Sequence, residues 1–204
     1  MKPFAESCEQ NKDVILEVIK PLLENREKVL EIGSGTGQHS IHFGQAMPHL
    51  QWYTSERRES LDGIRMWLDD CAAGAMTLDN VHPPIELDVL QTKWPEIQVD
   101  AVFTANTLHI MHWNEVQRVF QEVPMLLRDD GIMLVYGPFN YHGQYTSESN
   151  RQFDGWLKQR DHESGIRDFT ELNELAEQNN LQFLADYEMP ANNRILCWQK
   201  LSPV

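Results

Sequence analysis

The run Val29-Leu-Glu-Ile-Gly-Ser-Gly-Thr-Gly37 constrains this chain more than any other feature. A short apolar strand passes into a helix through three alternating glycines, residues that let a backbone turn sharply and approach a ligand closely. The rest of the sequence keeps the same strand-to-helix rhythm. Val14, Ile15, Val18, Ile19, Leu22 and Leu23 recur at helical spacing and place an N-terminal helix within 1–25, loosening near Pro21. Strands are expected at 28–32, 51–54, 84–87, 100–104 and 132–136, the last entered through a turn at Asp129-Asp130-Gly131. Between them, helical faces run up to Met47, along Leu61, Ile64, Leu68 and Ala72, and along Val116, Val119, Phe120, Val123 and Leu127. Strands alternating with helices imply an α/β fold, a mostly parallel sheet with helices on both faces. Two final strands, 181–187 and 194–198, are joined only by Pro190-Ala-Asn-Asn193. That connection is too short for a crossover helix, so the pair must be antiparallel.

The 204 residues carry no internal repeat, low-complexity tract or Pro/Gly-rich linker, and 1–204 is expected to be a single domain. No apolar run reaches the eighteen-odd residues of a membrane span, and the N-terminal residues lack a signal-peptide core, so a cytoplasmic protein without membrane association is expected. Cys8, Cys71 and Cys197 are scattered and odd in number, matching neither a metal spacing nor a disulfide framework. Thirty-one acidic against 17 basic residues give a formal net charge of -14. Nucleic-acid binding relies on neutralising phosphates with Lys and Arg, and Arg57-Arg58 is the only adjacent basic pair, so no nucleic-acid partner is expected. Oligomeric state is not legible.

The spacing of the glycine loop separates possible ligands. A dinucleotide fingerprint needs its third glycine three residues after the second, where this chain has Gln38; its own third glycine comes one step early. No Gly-Lys-Ser/Thr ending is present, which excludes a phosphate-gripping P-loop. Glu31 is a carboxylate within an apolar strand, costly to bury unless paired. It either caps nearby loop amides or organises the loop around a positively charged cofactor. S-adenosylmethionine, with a sulfonium and an ammonium but no phosphate, suits that charge. Glu56 follows the second strand, where a carboxylate can accept from ribose hydroxyls, and Asp88 follows the third, placed for the exocyclic amine of adenine. Each acid alone reads as a solvated surface group. Three acids in register with three strand ends point to one ligand at the carboxyl edge of a sheet.

Strand-Glu-x-Gly-x-Gly-x-Gly, an acid after strand two and an Asp after strand three resemble the class I S-adenosylmethionine-dependent methyltransferases. The resemblance implies a Rossmann-like, doubly wound fold whose seven-stranded, mostly parallel sheet ends in an antiparallel hairpin. It places Glu31, Gly33, Ser34, Gly35, Thr36 and Gly37 against the methionine part, Glu56 at the ribose, and Asp88 with Val89 at the adenine. It adds Asn106 and Thr107 beside the transferable methyl, and Asn11 on the cofactor side. A narrower resemblance spans nearly the whole chain. Asn11-Lys12-Asp13, Ser34-Gly-Thr-Gly-Gln-His39, Tyr136-Gly-Pro-Phe139, Ser149-Asn150, Phe153-Asp154, Gly165-Ile-Arg-Asp168 and Met189-Pro-Ala-Asn-Asn193 are similar to an uncharacterised methyltransferase-like family, a domain of unknown function in bacteria and animals. That family more often has Pro-Ser-Asp where this chain has Thr54-Ser55-Glu56, and a Glu reaches one methylene further.

Methyl transfer asks a protein for alignment, exclusion of water and sometimes a base. Asn106-Thr-Leu-His109 differs from the Asp/Asn-Pro-Pro-aromatic tetrad of enzymes acting on amino groups of DNA bases, and fits a small-molecule acceptor. His109 is the first base candidate, with a natural pKa near neutrality, unless it merely supports its loop. Asp154 is the second candidate for proton handling. Segment 139–168 is longer than a crossover requires and is expected to act as a substrate lid. Phe4, Tyr141, Asn150, Arg167 and Asn192 are expected to wall the acceptor. The His39/His42 and His109/His112 pairs lack companion carboxylates or thiolates, so no metal is expected. Two alternatives compete: a non-catalytic S-adenosylmethionine-binding sensor or scaffold, and an NAD-dependent oxidoreductase, which Gln38 and Glu31 disfavour.

Overall fold

The computed structural model describes residues 2–74, 78–91 and 93–202. These group into two compact units, Met1–Phe103 and Thr104–Val204, where the sequence pattern points to one domain.

The first unit opens with α1 (Glu6–Leu23), followed by β1 (Lys28–Ile32), α2 (Gln38–Ala46), β2 (Gln51–Glu56), α3 (Leu61–Ala73), β3 (Val81–Glu86) and β4 (Val99–Ala105). α1 continues two residues beyond Pro21. The carbonyl that loses its helical donor there belongs to Glu17, and Glu17 and Pro21 are both exposed, so water can satisfy it. β1 lies between β2 and β4, parallel to both, with Ile32 beside Ser55 and Glu31 beside Phe103. β3 begins three residues earlier than the sequence pattern places it and runs through Pro83 and Pro84. It is the edge strand, and an edge tolerates prolines that cannot donate to a ladder; its register with β2 shifts between Tyr53 and Ser55. The unit's core is aromatic, with Phe43 against Trp52 and Phe103 at 5.5 Å in each case.

The second unit contains α4 (Trp113–Leu126), β5 (Leu127–Gly137), β6 (Phe139–Asn140), α5 (Glu148–Arg160), β7 (Arg167–Asp168), α6 (Phe169–Gln178), β8 (Leu181–Met189) and β9 (Asn193–Lys200). β5 starts at Leu127, ahead of the expected 132, but its antiparallel pairing with β9 begins at Ile132, after Asp130 at φ 61°. β8 and β9 form the antiparallel hairpin expected from their short connection, turning through Ala191 and Asn192 at φ 57° and 59°. Phe120, Phe183 and Trp198 pack edge-on beneath it. The strand order of the seven-stranded sheet is β3-β2-β1-β4-β5-β9-β8. Only β9 runs against the others, and helices cover both faces: the doubly wound α/β architecture that the sequence implies. β6 and β7 form a separate parallel pair. No helix among the described residues is long and apolar enough to cross a membrane.

Candidate functional site

Between β1 and α2 the glycine loop takes a left-handed backbone at each glycine, with φ of 70° at Gly33, 56° at Gly35 and 88° at Gly37. Any side chain there would cost about 1–2 kcal/mol from conformation alone. A Cβ at Gly37 would also press on Ile64, 3.3 Å from its Cα, whereas a Cβ at Gly35 would meet nothing within 4 Å. The loop is closed by the Gly37 amide on the Ser34 carbonyl at 2.9 Å. It is stitched to β2 by the Ser34 amide on the Ser55 carbonyl at 2.9 Å and by the Ser55 amide on Ser34 Oγ at 3.2 Å.

Three acids lie at or near strand ends: Glu31 within β1, Glu56 as the last residue of β2 rather than after it, and Asp88 beyond β3. Glu31 is 1% exposed, and its Oε2 accepts from Trp52 Nε1 at 2.9 Å and from the Ser40 hydroxyl. Burial lifts its carboxyl above the usual range, although Ser40, Trp52 and Ser34 draw it back. Side chains of α2, β2 and the loop hold this carboxylate beneath the glycines. Glu56 accepts from the Gly35 amide at 2.8 Å through one oxygen and from the Arg57 amide at 2.8 Å through the other. Asp88 Oδ1 accepts from the amides of Leu90 and Gln91 at 3.1 and 3.2 Å, making a turn that presents the carboxylate after β3. Val89 is buried, and its carbonyl accepts from Trp94.

The start of α1 covers this loop through a residue whose role the sequence does not reveal. Gln38 Oε1 accepts from the Ala5 amide at 2.6 Å and the Thr36 hydroxyl at 2.9 Å, while its Nε2 donates to Glu9 at 2.7 Å. Gln38 is visible in the sequence only as the missing fingerprint glycine. Cys8 also reaches Thr36; burial, then the nearby Glu31 charge, push its thiol up to about 11, so it stays protonated. Asn11 is buried with its Oδ1 2.7 Å from His39 Nε2, joining α1 to α2. Burial pushes His39 down to about 4, leaving a neutral ring that donates to Asn11. Phe4 is 60% exposed.

In the second unit, Asn106 follows β4 at φ 56°, its amide donating to the Tyr136 carbonyl at 2.9 Å, and the Thr107 hydroxyl donates to the Ala105 carbonyl at 3.0 Å. His109 is 7% exposed and meets Phe153 edge-on at 5.3 Å. The point where Gly137 would carry a Cβ lies 3.8 Å from His109 Nδ1 and 4.0 Å from Asn106 Oδ1. A polar pair thus converges on a bare stretch of β5 backbone. Burial first, then the Arg167 charge, push His109 down to about 4, well below the near-neutral value expected of it. Its imidazole is therefore in the proton-accepting form throughout the neutral range.

Segment 139–168 is tied down at many points. β6 pairs with β7, Phe139 beside Arg167 and Asn140 beside Asp168. Arg167 donates to the Leu108 carbonyl at 3.0 Å and to the Met111 carbonyl, the Gly165 amide to the His109 carbonyl at 2.9 Å, and the Ser164 hydroxyl to the Ile110 carbonyl at 3.2 Å. Asp154 is 2% exposed and accepts from the Ile166 amide at 2.7 Å, the Tyr145 hydroxyl at 2.7 Å and Lys158 Nζ at 2.6 Å. Burial opposes its ionisation, but Lys158, Tyr145 and the Ile166 amide outweigh it and hold the carboxyl below its ordinary value. A carboxylate so engaged fits a tether better than the proton carrier expected at this position. Asn150 Nδ2 donates to the Asn192 carbonyl at 3.1 Å, and Asn192 Nδ2 to Ser149 at 3.3 Å, fastening α5 to the hairpin turn. Tyr141 donates to Asp186 at 2.6 Å. Of the residues expected to wall an acceptor, Arg167 alone bonds the loop carrying His109; Tyr141, Asn150 and Asn192 brace β8 and β9.

Solved structures place this architecture among methyltransferases. The chain is similar to an O-methyltransferase family protein from Burkholderia thailandensis, at TM-score 0.81 and 15% identity over 97% of this chain and 57% of that one. Human N-acetylserotonin methyltransferase, solved in complex with SAM, gives TM-score 0.78 and 14% identity over 97% and 53%. The mitomycin 7-O-methyltransferase MmcR gives 0.74 and 20% over 87% and 50%. The chain spans little more than half the length of these neighbours. Its fold is the Rossmann-like methyltransferase fold. A family model described as "Protein of unknown function (DUF938)" matches residues 2–200, and the chain belongs to that family.

Proposed function

We propose that this protein is an S-adenosylmethionine-dependent methyltransferase acting on a small molecule. The observation that carries this reading is the pairing of the glycine loop with its acids. Glu31 lies buried under the glycines, Glu56 grips the Gly35 amide, and Asp88 follows β3. The residues fit such a cofactor. Negative charge lies beneath a loop that must face a sulfonium and an ammonium, and the space over Gly35 is open. Glu31 and the glycine loop would hold the methionine part, Glu56 the ribose, and Asp88 with Val89 the adenine. When bound, the cofactor supplies a methyl carbon activated by its sulfonium.

Within the second unit, His109 would accept a hydrogen bond from the acceptor and orient its reacting atom. Burial and the Arg167 charge keep the imidazole neutral well above pH 4 and make it a weak base. Asn106 would share in orienting the acceptor atom, and the 161–167 segment would keep water from His109. Asp154 and Arg167 act as positioning residues that hold that segment to the His109 loop. Hydroxyl-bearing compounds are the first acceptors to screen, because the similar structures include proteins named as O-methyltransferases.

Parallel calorimetric titrations with S-adenosylmethionine, S-adenosylhomocysteine and NAD test the cofactor. Micromolar binding of the first two without NAD is expected. Binding of NAD alone would return the glycine loop to the dehydrogenases. Tight cofactor binding with no turnover across a broad acceptor panel would instead favour a sensor or scaffold.

A further inference from the structure

We propose that Gln38 is a positioning residue for the glycine loop and that it acts together with a strap, residues 2–5, seated on α3. The seat lies wholly within the first unit and is built from one face of that helix. Gly63, Trp67 and Asp70 stand at i, i+4 and i+7, a single stripe along α3. Each receives one part of the strap. Pro3 rests on Gly63, where an added Cβ would come within 2.7 Å of the proline Cγ and 3.5 Å of its Cδ. Trp67 Nε1 donates to the Pro3 carbonyl at 2.8 Å. Lys2 lies 3.7 Å over the Trp67 ring and pairs with Asp70 at 2.5 Å. Glycine weakens a helix relative to alanine, so its presence here answers a need for close approach.

Beyond Pro3 the strap meets the loop through one atom. Gln38 Oε1 accepts from the Ala5 amide at 2.6 Å and from the Thr36 hydroxyl at 2.9 Å, so strap and loop share an acceptor. Glu9 accepts from the amide nitrogen of the same side chain at 2.7 Å, which turns Oε1 toward both donors. Ile64, next to Gly63, is the residue on which Gly37 packs. Strap and loop thus lean on adjacent residues of α3 as well as on one oxygen. The strap itself is lightly held: Phe4 is exposed, and the Lys2–Asp70 pair joins side chains 34% and 61% exposed. Such a segment opens locally at far less cost than the core unfolds. With the strap seated, Thr36 is fixed and the glycine amides keep their places; with it open, that restraint is lost. The consequence for S-adenosylmethionine rests on the methyltransferase reading: strap closure and cofactor binding favour each other to the same extent.

Hydrogen exchange followed by NMR on the ligand-free protein tests the strap without any cofactor. The Trp67 indole and the Ala5 amide report its docking, and the amides of Gly35 and Gly37 report the loop. The atoms nearest the Cβ of Gly63→Ala all belong to Pro3, so this variant reaches the loop only through the strap. It should speed exchange about tenfold at the strap and about threefold at the loop, and Gln38→Ala should do likewise. Pro3→Ala removes the two ring atoms that the new Cβ would meet, and adding it to Gly63→Ala should restore both sets of rates. By calorimetry, S-adenosylmethionine should bind about fivefold more weakly to Gly63→Ala and normally to the double variant. Strap reporters unchanged in both single variants would overturn the proposal. So would loop reporters that ignore an accelerated strap, failure of Pro3→Ala to rescue, or unaltered cofactor affinity in Gly63→Ala. If wild type binds no S-adenosylmethionine while loop exchange still follows the strap, the methyltransferase reading fails and the strap coupling stands.

Discussion

Replacing Asp154 by Asn measures how firmly the 161–167 segment is held over His109. The wild-type carboxylate accepts three hydrogen bonds while 2% exposed. Its Lys158 partner has a side chain 54% exposed, so that ion pair contributes at most about 1 kcal/mol. Asn keeps an acceptor for the Ile166 amide but weakens that bond from charged to neutral, a loss of about 1 kcal/mol. Tyr145 is itself partly exposed, and its hydroxyl recovers a water partner in part. Destabilisation of about 2–3 kcal/mol at pH 7 follows, a drop of roughly 5–10 °C in melting temperature for a chain of this size. Because the folded carboxyl titrates below its unfolded value, its stabilisation is complete above an unfolded pKa of about 3.9 and is lost as pH falls through the lower folded value. Urea titrations of wild type and variant should therefore differ most at neutral pH and converge in strong acid. A difference under about 0.5 kcal/mol at pH 7, or a gap that ignores pH, would refute the tether. Affinity for S-adenosylmethionine should be unchanged.

Glu31→Gln should hold or raise stability at neutral pH, since burial makes that charge costly to the fold, while weakening S-adenosylmethionine about tenfold by calorimetry. Gly37→Ala should destabilise by about 2–4 kcal/mol and Gly35→Ala by only about 1–2, because Ile64 crowds the first position and nothing crowds the second; equal melting shifts would contradict that ranking. Asp88→Ala should weaken the cofactor by about 1–3 kcal/mol in the same titrations. An NMR titration of His109 should give a midpoint near 4; a midpoint near 6.5 would mean that its burial or its Arg167 neighbour is misjudged.

The strand-helix alternation and the terminal hairpin were legible because they rest on chain length and apolar period: the three residues between β8 and β9 leave no room for a crossover helix. Strand limits were less legible. The expected third strand starts at Pro84, whereas β3 begins at Val81 and runs through both prolines because it lies at an edge, and Asp130 reads as a turn although β5 runs through it. Glycine-loop positions could be named from their residue types, since glycine adopts those backbone angles without the steric cost that other residues bear. What each acid touches could not, because Trp52, Ser40 and Gln38 approach from elements whose side-chain directions a sequence does not give. His109 shows the same limit in its chemistry. Its burial against Phe153 and the charge of Arg167, 58 positions along the chain, set a proton affinity that no local pattern encodes.

The clasp of β6 on β7 has a consequence for how such a chain can diversify. Residues 141–166 leave and return at one parallel pair, so their ends are fixed whatever lies between. Changes in the length or composition of that excursion are absorbed at the clasp where they spare Tyr141, Asn150 and Gly165, which tie it to β8, the hairpin turn and the His109 loop. A segment built this way behaves as an exchangeable cassette. Grafting the equivalent excursion from another member of the family should alter what the protein recognises while leaving its glycine loop unaltered.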